Sequence, residues 1–220
     1  MLLHELSETT GISVASIKYY RREGLLPPGE RITATRQDYG QRHVERLELI
    51  QVLREVAEAP IDRIAQLTAL LDDPEVPLLE ALAQSQHLAL GLEDDPDADG
   101  DGTPSAEHPS IAPLLAHLGW PDVDSAPRRA LDELLGTLER WEMPTDSEML
   151  LRYAEPMAGI ARQDVDWMRS RSAPAGPPVS ADVMVMRAVA GAIAFDRLVR
   201  ILRMLGHTSW SILDSSQVVD

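Results

Sequence analysis

Apolar residues recur at helical spacing through most of the chain, and Pro, Gly and acidic residues mark the breaks between the runs. Near the start, this pattern predicts two short helices, over residues 2–8 and 13–23. Gly11 suits the bend between them because glycine adopts positive φ at no steric cost, and Ser13 is a good N-cap for the second helix. Two short helices joined by a glycine turn, the second polar and basic on its outer face, are typical of a helix-turn-helix.

The rest of the chain is predicted to be helical except for one short stretch. Residues 30–39 contain alternating β-branched side chains, which favour a small hairpin or wing. Further helical runs follow at residues 41–57, 61–72 and 76–92. Beyond residue 110 the pattern is helical throughout and includes a long helix over 180–205 that Gly206 is expected to end. The predicted fold class is therefore mainly α, with a winged helix-turn-helix at the N-terminus, a small β wing and an all-α C-terminal domain.

The residues of the second short helix and of the turn after it form a specific pattern. The segments are Ser13-Val14-Ala15-Ser16-Ile17-Lys18-Tyr19-Tyr20 and Glu23-Gly24-Leu25-Leu26-Pro27-Pro28, followed by Tyr39, His43-Val44-Glu45-Arg46-Leu47, Leu49-Ile50 and Leu53. This pattern resembles the signature of the MerR family of bacterial transcription regulators over residues 1–73. The sequence departs from it in two places: Lys18 stands where the family usually has Arg, and Thr35-Arg36-Gln37 stand where its wing usually has Gly-Tyr-Arg.

The resemblance implies a regulator that is not an enzyme and that places its second helix in the major groove of double-stranded DNA, with its wing on the flanking backbone. We expect Lys18 and Arg21 to hold phosphates and the start of the helix to approach base edges. The DNA-binding residues predicted are Ser13, Val14, Ala15, Ser16, Lys18, Tyr19, Arg21, Arg22, Arg31, Arg36 and Tyr39. The resemblance further implies a homodimer on a palindromic promoter site, which distorts the spacer so that RNA polymerase engages both promoter elements.

The apolar helix at residues 76–92 has two interpretations. It is a buried core helix, or it is the dimerisation helix that the resemblance implies at this position, pairing antiparallel with its copy. We prefer the second interpretation. The dimer contacts predicted are Leu78, Leu79, Leu82 and Leu88.

Charge is distributed unevenly along the chain. The net charge is −16, yet residues 13–46 hold seven Lys or Arg against four Asp or Glu. A local basic face binds phosphate while the acidic remainder weakens non-specific binding. The start of the chain has no signal-peptide pattern, and the most apolar stretch, Val183 to Phe195, is too short to span a bilayer, so we expect a soluble, cytoplasmic protein.

The chain contains no Cys, which excludes disulfides, thiolate metal sites and thiol redox sensing. An acidic linker is predicted over residues 93–109, and within it Asp95, Asp97 and Asp99 imitate the first half of an EF-hand loop. The twelfth position of that loop is Ala106 instead of the bidentate Glu that calcium requires. We therefore expect no metal and no cofactor.

Catalytic patterns are missing: no Gly-rich phosphate loop, no Gly-x-Ser-x-Gly elbow and no paired His at helical spacing occur. Two alternatives stay open: an enzyme regulated by a module that resembles a DNA-binding domain, and a scaffold whose helix-turn-helix serves protein contact only.

The predicted domains are 1–73 for DNA binding, 74–92 for dimerisation, 93–109 as linker and 110–220 as an all-helical effector or regulatory domain. All four Trp residues fall in the last of these, which suggests a pocket for a small organic effector. The pocket residues predicted are Trp141, Tyr153, Met157, Trp167 and Met186. The alternatives left open are that these residues only fill a core, or that the domain is a protein-interaction or purely structural module.

Overall fold

The structure is a computed structural model that describes residues 1–33, 36–91, 107–171 and 179–217, without the side chains of 168–171 and 215–217. Its elements are α1 (Leu3–Thr10), α2 (Val14–Arg22), β1 (Glu30–Arg31), β2 (Gln37–Asp38), α3 (Gln41–Glu55), α4 (Ile61–Asp72), α5 (Leu78–Leu90), α6 (Ile111–Leu118), α7 (Ala126–Arg140), α8 (Ser147–Arg171) and α9 (Ala181–Gln217). The mainly α fold class with its two-stranded wing is confirmed. Contacts divide the chain into two units: Met1–Gly91 with Ser180–Asp220, and Leu92–Val179.

The first unit begins with the predicted helix-turn-helix and its wing. Strands β1 and β2 pair antiparallel, with Glu30 opposite Asp38 and Arg31 opposite Gln37. The approach to the wing requires glycine at position 29, because a Cβ there would lie 2.5 Å from the carbonyl oxygen of Asp38. The wing therefore packs backbone against backbone close to the end of α2.

The core of the first unit draws on both ends of its sequence. Leu6 of α1, Ile17 of α2 and Leu47 of α3 are completely buried, and they share one apolar cluster with Val185 and Val189 of α9. Burial of large aliphatic side chains is the main source of stability, at about 1.5–3 kcal/mol for each one fully buried. Residues beyond 180 are thus part of the folding unit that holds the helix-turn-helix.

The position of α9 corrects the predicted division of the chain. Residues 180–220 were expected to belong with residues 110–171, yet α9 packs on α3 and α5 and joins the first unit. The reason is the apolar side formed by Val185 and Val189, which closes the core over Leu88 of α5. Helical periodicity alone does not show which partner a helix covers.

The predicted end of this helix at Gly206 is also wrong, since α9 continues to Gln217. Gly206 is not among the described glycines with positive φ, so its backbone follows the helix. A glycine inside a helix costs only about 1 kcal/mol relative to Ala, and the residues after it continue a helical pattern.

The second unit contains α6, α7 and α8 around its own small core. Ile111 and Leu114 of α6, Leu135 of α7 and Leu150 of α8 form this cluster. Pro156 lies inside α8, and the helix is assigned as continuous across it. The predicted acidic linker and its EF-hand imitation fall mostly on residues 92–106, outside the described residues.

Candidate nucleic-acid interface

Local hydrogen bonds fix the start of α2, the predicted recognition helix. The Ser13 hydroxyl accepts a hydrogen bond from the backbone N–H of Ser16 at 3.0 Å, as an N-cap does. The Ser7 hydroxyl donates to the carbonyl of Ile12 at 2.6 Å and ties the turn back to α1. Ile17 is 0 % exposed and anchors the inner face, so the opposite face of α2 is held outward.

The outward face of α2 presents cations. Lys18 and Arg22 are exposed, and Lys18 makes no hydrogen bond or ion pair with any residue that the structure describes. Arg22 stacks over the ring of Tyr19, with its guanidinium carbon 5.2 Å from the ring centroid, and its Nε contacts Glu23 at 3.2 Å. Ala15 is also exposed near the helix start, and its small side chain lets backbone approach a groove edge. This face suits phosphate oxygens on one side and base edges at its N-terminal end.

Arg21 is positioned by Tyr39. The Arg21 Nη1 donates to the Tyr39 hydroxyl at 2.7 Å, and that hydroxyl donates to the Gln37 side-chain oxygen at 3.1 Å. The structure differs here from the sequence prediction, because Tyr39 is only 2 % exposed and its ring belongs to the core. Tyr39 therefore supports Arg21 and does not present its ring to a ligand, since the apolar ring is buried where the chain passes from wing to α3.

The wing carries the two other predicted cations, Arg31 and Arg36, and both are exposed. The Arg36 carbonyl accepts from the N–H groups of Ile32 at 2.9 Å and Thr33 at 3.1 Å, which closes the described part of the hairpin. At its base, the Met1 ammonium donates to Asp38 Oδ1 at 2.6 Å. That hydrogen bond and the ammonium charge lower the pKa of Asp38.

A shallow concavity of about 410 Å³ lies beside α2. It is lined by Ala15, Ser16, Tyr19, Tyr20, Arg54 and Ile61. Arg54, whose Nη1 donates to the Ala59 carbonyl at 3.3 Å, adds a cation that the sequence prediction missed. Its place at the end of α3, next to the exposed side of α2, follows from tertiary packing and leaves no motif in the sequence.

Arg46 joins α9 to the DNA-binding part formed by α1, α2 and the wing, which we call the reading head. The sequence prediction assigned Arg46 no role. Its guanidinium is 0 % exposed and forms two hydrogen bonds to Asp72, at 2.8 and 3.0 Å. It also contacts Asp182 at the start of α9 and donates to the Leu25 carbonyl at 3.2 Å, just after α2. Burial alone would lower the pKa of Arg46, but the hydrogen bonds to Asp72 and Asp182 outweigh it and raise the pKa. Arg46 thus ties the end of α2, the end of α4 and the start of α9 together.

The predicted dimerisation residues do not form one exposed face. Leu79 is 75 % exposed, but Leu88 is 5 % exposed within its own chain, and Leu78 and Leu82 are partly buried on the same core. The assignment of Leu88 is therefore wrong, because α9 covers that side of α5. Leu79 is the predicted contact that remains fully available on α5.

The five residues predicted for the effector pocket are divided between the two units. Met186 is partly buried against the core of the first unit. The side chains of Trp141, Tyr153, Met157 and Trp167 belong to the second unit and are exposed. The sequence prediction had placed all five in one domain, because it assigned α9 to residues 110–220.

A winged helix-turn-helix with a cationic outer face on its second helix defines the class of this protein as a sequence-reading DNA-binding protein. Residues 1–71 match the MerR HTH family regulatory protein domain. Among similar proteins, one from Haemophilus influenzae named as a probable heavy metal-dependent transcriptional regulator is 33 % identical over 90 residues, which are 40 % of this chain and 70 % of that protein. Another from Haemophilus influenzae, named as an HTH-type transcriptional regulator ZntR homolog, is 34 % identical over 50 residues, 23 % of this chain and 37 % of that one.

Similarity also extends over the whole fold. A solved structure of a candidate transcriptional regulator from Streptomyces coelicolor A3(2) superposes with a TM-score of 0.63 and 30 % identity, covering 96 % of both chains. The chain belongs to the MerR family and is a DNA-binding regulator, not an enzyme. Among the described helices, none has the length and apolar character needed to cross a membrane.

Proposed function

We propose that this regulator reads promoter DNA with α2 in the major groove and with the wing on the flanking backbone. The observation that carries the proposal is the outer face of α2, where exposed Lys18 and Arg22 lie beside an Arg21 that is held in place by Tyr39. A cation already fixed by a hydrogen bond loses less conformational freedom on binding, which favours a defined register on the duplex. Arg31 and Arg36 extend the cationic surface to the wing.

The regulator acts as a homodimer on a palindromic site. Two recognition helices separated by one helical turn of DNA match two half-sites, so a pair of copies gains both affinity and spacing selectivity. The pair distorts the promoter spacer and thereby sets how RNA polymerase engages the two promoter elements. The large acidic excess outside the reading head supports this, because it disfavours non-specific binding by a single head.

The second unit regulates the DNA-bound state. A heavy-metal signal, as in the name of the Haemophilus influenzae relative, has little support here, because the chain has no Cys and the described residues form no cluster of three metal-binding side chains. One candidate signal is a small organic effector, whose binding would change the fluorescence of the exposed Trp141 and Trp167. Their exposure favours the other possibility, a protein contact, over an enclosed pocket.

The assignment of Lys18 to phosphate is tested by the salt dependence of DNA binding. For Lys18→Ala we expect weaker binding to all duplexes and a slope of log K against log salt that is lower by about 1, because one phosphate contact is lost. The measurement is fluorescence anisotropy with a labelled promoter duplex at several salt concentrations. Arg152→Ala is the matched control, because Arg152 is an exposed cation on α8, 70 % accessible at its side chain. Equal slopes for the wild type and Lys18→Ala would refute the assignment.

A further inference from the structure

The distal half of α9, residues 195–213, is an amphipathic helix whose apolar side the structure leaves exposed. Five of its side chains are each between 47 % and 65 % exposed: Phe195, Leu198, Leu202, Leu205 and Trp210. Successive residues of an α-helix lie about 100° apart around its axis, so these five fall within one half of the circumference. Contiguous apolar patches of this kind mark interaction sites on soluble proteins.

This apolar side points away from the core that α9 helps to close. The core contact is made by Val185 and Val189, both at most 1 % exposed. Arg203 and His207 follow these two valines by eighteen residues, about five full turns, and therefore lie on the same side of α9 as the valines do. The side of α9 that faces the core thus becomes polar beyond the core. The exposed apolar side is not a continuation of the core contact, and it requires a second body to cover it.

The distal half of α9 also differs in charge from the chain as a whole. Residues 195–213 hold three Arg and one Asp, whereas the whole chain has a net charge of −16. Around the helix axis, Arg197 lies near one border of the apolar half and Arg203 near the other. The single acid, Asp196, pairs with Arg200 at 2.9 Å on the polar half. Each border of the exposed apolar side therefore carries a cation.

We propose that the distal half of α9 docks on a phospholipid surface that contains anionic lipids, with the helix axis in the plane of the headgroups. Helices that lie in this plane insert an apolar side at the boundary with the acyl chains and carry basic residues on the polar side. The long stems of Arg197 and Arg203 let their guanidinium groups reach lipid phosphates while the apolar side is inserted. Trp210, near the Arg203 border, has the kind of amphipathic ring that is enriched at headgroup level.

A lipid surface fits this helix better than a second helix does. A two-stranded coiled coil buries a narrow seam, whereas the apolar side here covers about half of the circumference, which matches a plane. Helix pairs also place opposite charges beside the seam, but both borders here carry Arg. Of the apolar side chains in residues 195–213, Met204 alone lies on the polar half.

The acidic excess of the chain is compatible with this docking. At physiological salt a charge is largely screened beyond about 8 Å, so lipid headgroups respond mainly to the cations that border the inserted side. The docking is separate from DNA reading, because it uses no residue of the reading head.

The first experiment measures flotation of the full chain with vesicles of phosphatidylglycerol and phosphatidylcholine in equal amounts. The wild type should float with the vesicles. Leu202→Glu should stay in the soluble fraction, because it places a charge in the middle of the apolar side. Leu134→Glu is the matched control and should float like the wild type, because Leu134 of α7 is 52 % exposed against 55 % for Leu202. Circular dichroism without vesicles checks that both variants keep the helical content of the wild type.

The second experiment measures the contribution of charge. For Arg197→Gln/Arg203→Gln we expect affinity for the mixed vesicles to fall by about 30-fold, because two basic residues near an anionic leaflet are lost. Arg152→Gln/Arg162→Gln removes two exposed cations of α8, 70 % and 71 % accessible, and should bind like the wild type. On vesicles of phosphatidylcholine alone, Arg197→Gln/Arg203→Gln and the wild type should bind equally.

The third experiment tests which side of the helix is inserted, and it is possible because the chain has no Cys of its own. Positions 202 and 211 are nine residues apart, about two and a half turns, so they lie on opposite sides of α9. A bimane label on Leu202→Cys should shift its emission to the blue and become protected from iodide when mixed vesicles are added. The same label on Ser211→Cys should remain accessible to iodide.

Four results would overturn the proposal. They are a wild type that stays soluble with mixed vesicles, equal flotation of the wild type and Leu202→Glu, equal affinity of the wild type and Arg197→Gln/Arg203→Gln for mixed vesicles, and equal protection of the two labels. If the wild type stays soluble and sedimentation equilibrium shows an oligomer that Leu202→Glu dissociates but Leu134→Glu does not, the apolar side belongs to a second copy of the chain instead.

Discussion

Arg46 offers the sharpest test of how the reading head is held together. Its guanidinium is completely buried, and Asp182, 136 residues later in the sequence, is 5 % exposed. Replacing Arg46 with Met keeps a long apolar stem but leaves the Asp182 carboxylate buried without its cation. Breaking a buried ion pair in this way costs about 3–5 kcal/mol, a large part of the about 5–15 kcal/mol that stabilises a typical domain.

The double variant Arg46→Met/Asp182→Leu separates the loss of a pair from the loss of packing. It removes both charges together, and replacing a buried pair with apolar side chains of similar volume is often neutral or stabilising. We therefore expect the double variant to recover most of the stability that Arg46→Met loses. Asp72 tolerates the change, because its side chain is 35 % exposed and it keeps Arg42 at 2.7 Å.

Native-state hydrogen exchange followed by mass spectrometry measures the loss of stability separately in the first and second structural units. Peptides from α3 report opening of the first unit, and peptides from α7 serve as an internal control, because Leu135 belongs to the separate core of the second unit. Arg46→Met should speed exchange in α3 by a factor of about 150 to 5,000, which corresponds to a loss of about 3–5 kcal/mol, with α7 unchanged. Unchanged exchange in α3, or a double variant less protected than the single one, would refute the assignment of Arg46 and Asp182 as a buried pair.

Two further predictions concern the positioning of Arg21 and the pH dependence of stability. Tyr39→Phe removes only the hydroxyl that accepts a hydrogen bond from Arg21, so we expect operator binding to weaken by about 1 kcal/mol with little change in melting temperature. Fluorescence anisotropy measures the affinity and calorimetry the melting temperature. Unchanged affinity would contradict a positioning role for Tyr39. Burial would raise the pKa of Asp72, but the hydrogen bond to Arg46 and the charges of Arg46 and Arg42 lower it below its ordinary value of 3.8. Because the folded pKa is lowered, Asp72 contributes stability that is fully present above pH 3.8 and is lost as the pH falls through the lower folded pKa. Urea denaturation at pH 7 and pH 3 should therefore show that Asp72→Asn loses less free energy of unfolding on acidification than the wild type does. Equal losses would contradict the ion pair between Asp72 and Arg46.

The reading head could be predicted from the sequence because its signals are local. The cap at Ser13, the turn at Gly11 and the buried Ile17 lie within seven residues, and each has a direct structural counterpart. A small wing was predicted over residues 30–39 from β-branched side chains, and a hairpin is present there, although Ile32 and Thr33 lie between its two strands and not within them. Local hydrogen bonding and helical period determine these elements without reference to the rest of the chain.

The errors arise where distant segments meet. The prediction placed Tyr39 on DNA, although packing buries its ring and leaves only its hydroxyl to position Arg21. It placed α9 with residues 110–171, although Val185 and Val189 complete the first core. Periodicity shows that a helix has an apolar side. It does not show which element covers that side, because for α9 the covering residues of α3 lie more than one hundred positions earlier in the sequence.

The discontinuous first unit has a consequence for synthesis of the chain. Residues 1–91 leave the ribosome well before Asp182, Val185 and Val189, which complete their core. At about 5–20 residues per second, translation of the intervening hundred or so residues takes about 5–20 s, during which Arg46 lacks one of its two carboxylates. The second unit, which is contiguous in sequence, is able to fold during that interval. The helix-turn-helix and its wing would thus rest on a complete core only after residues 182–189 have been synthesised, about a hundred residues after the helices that they stabilise.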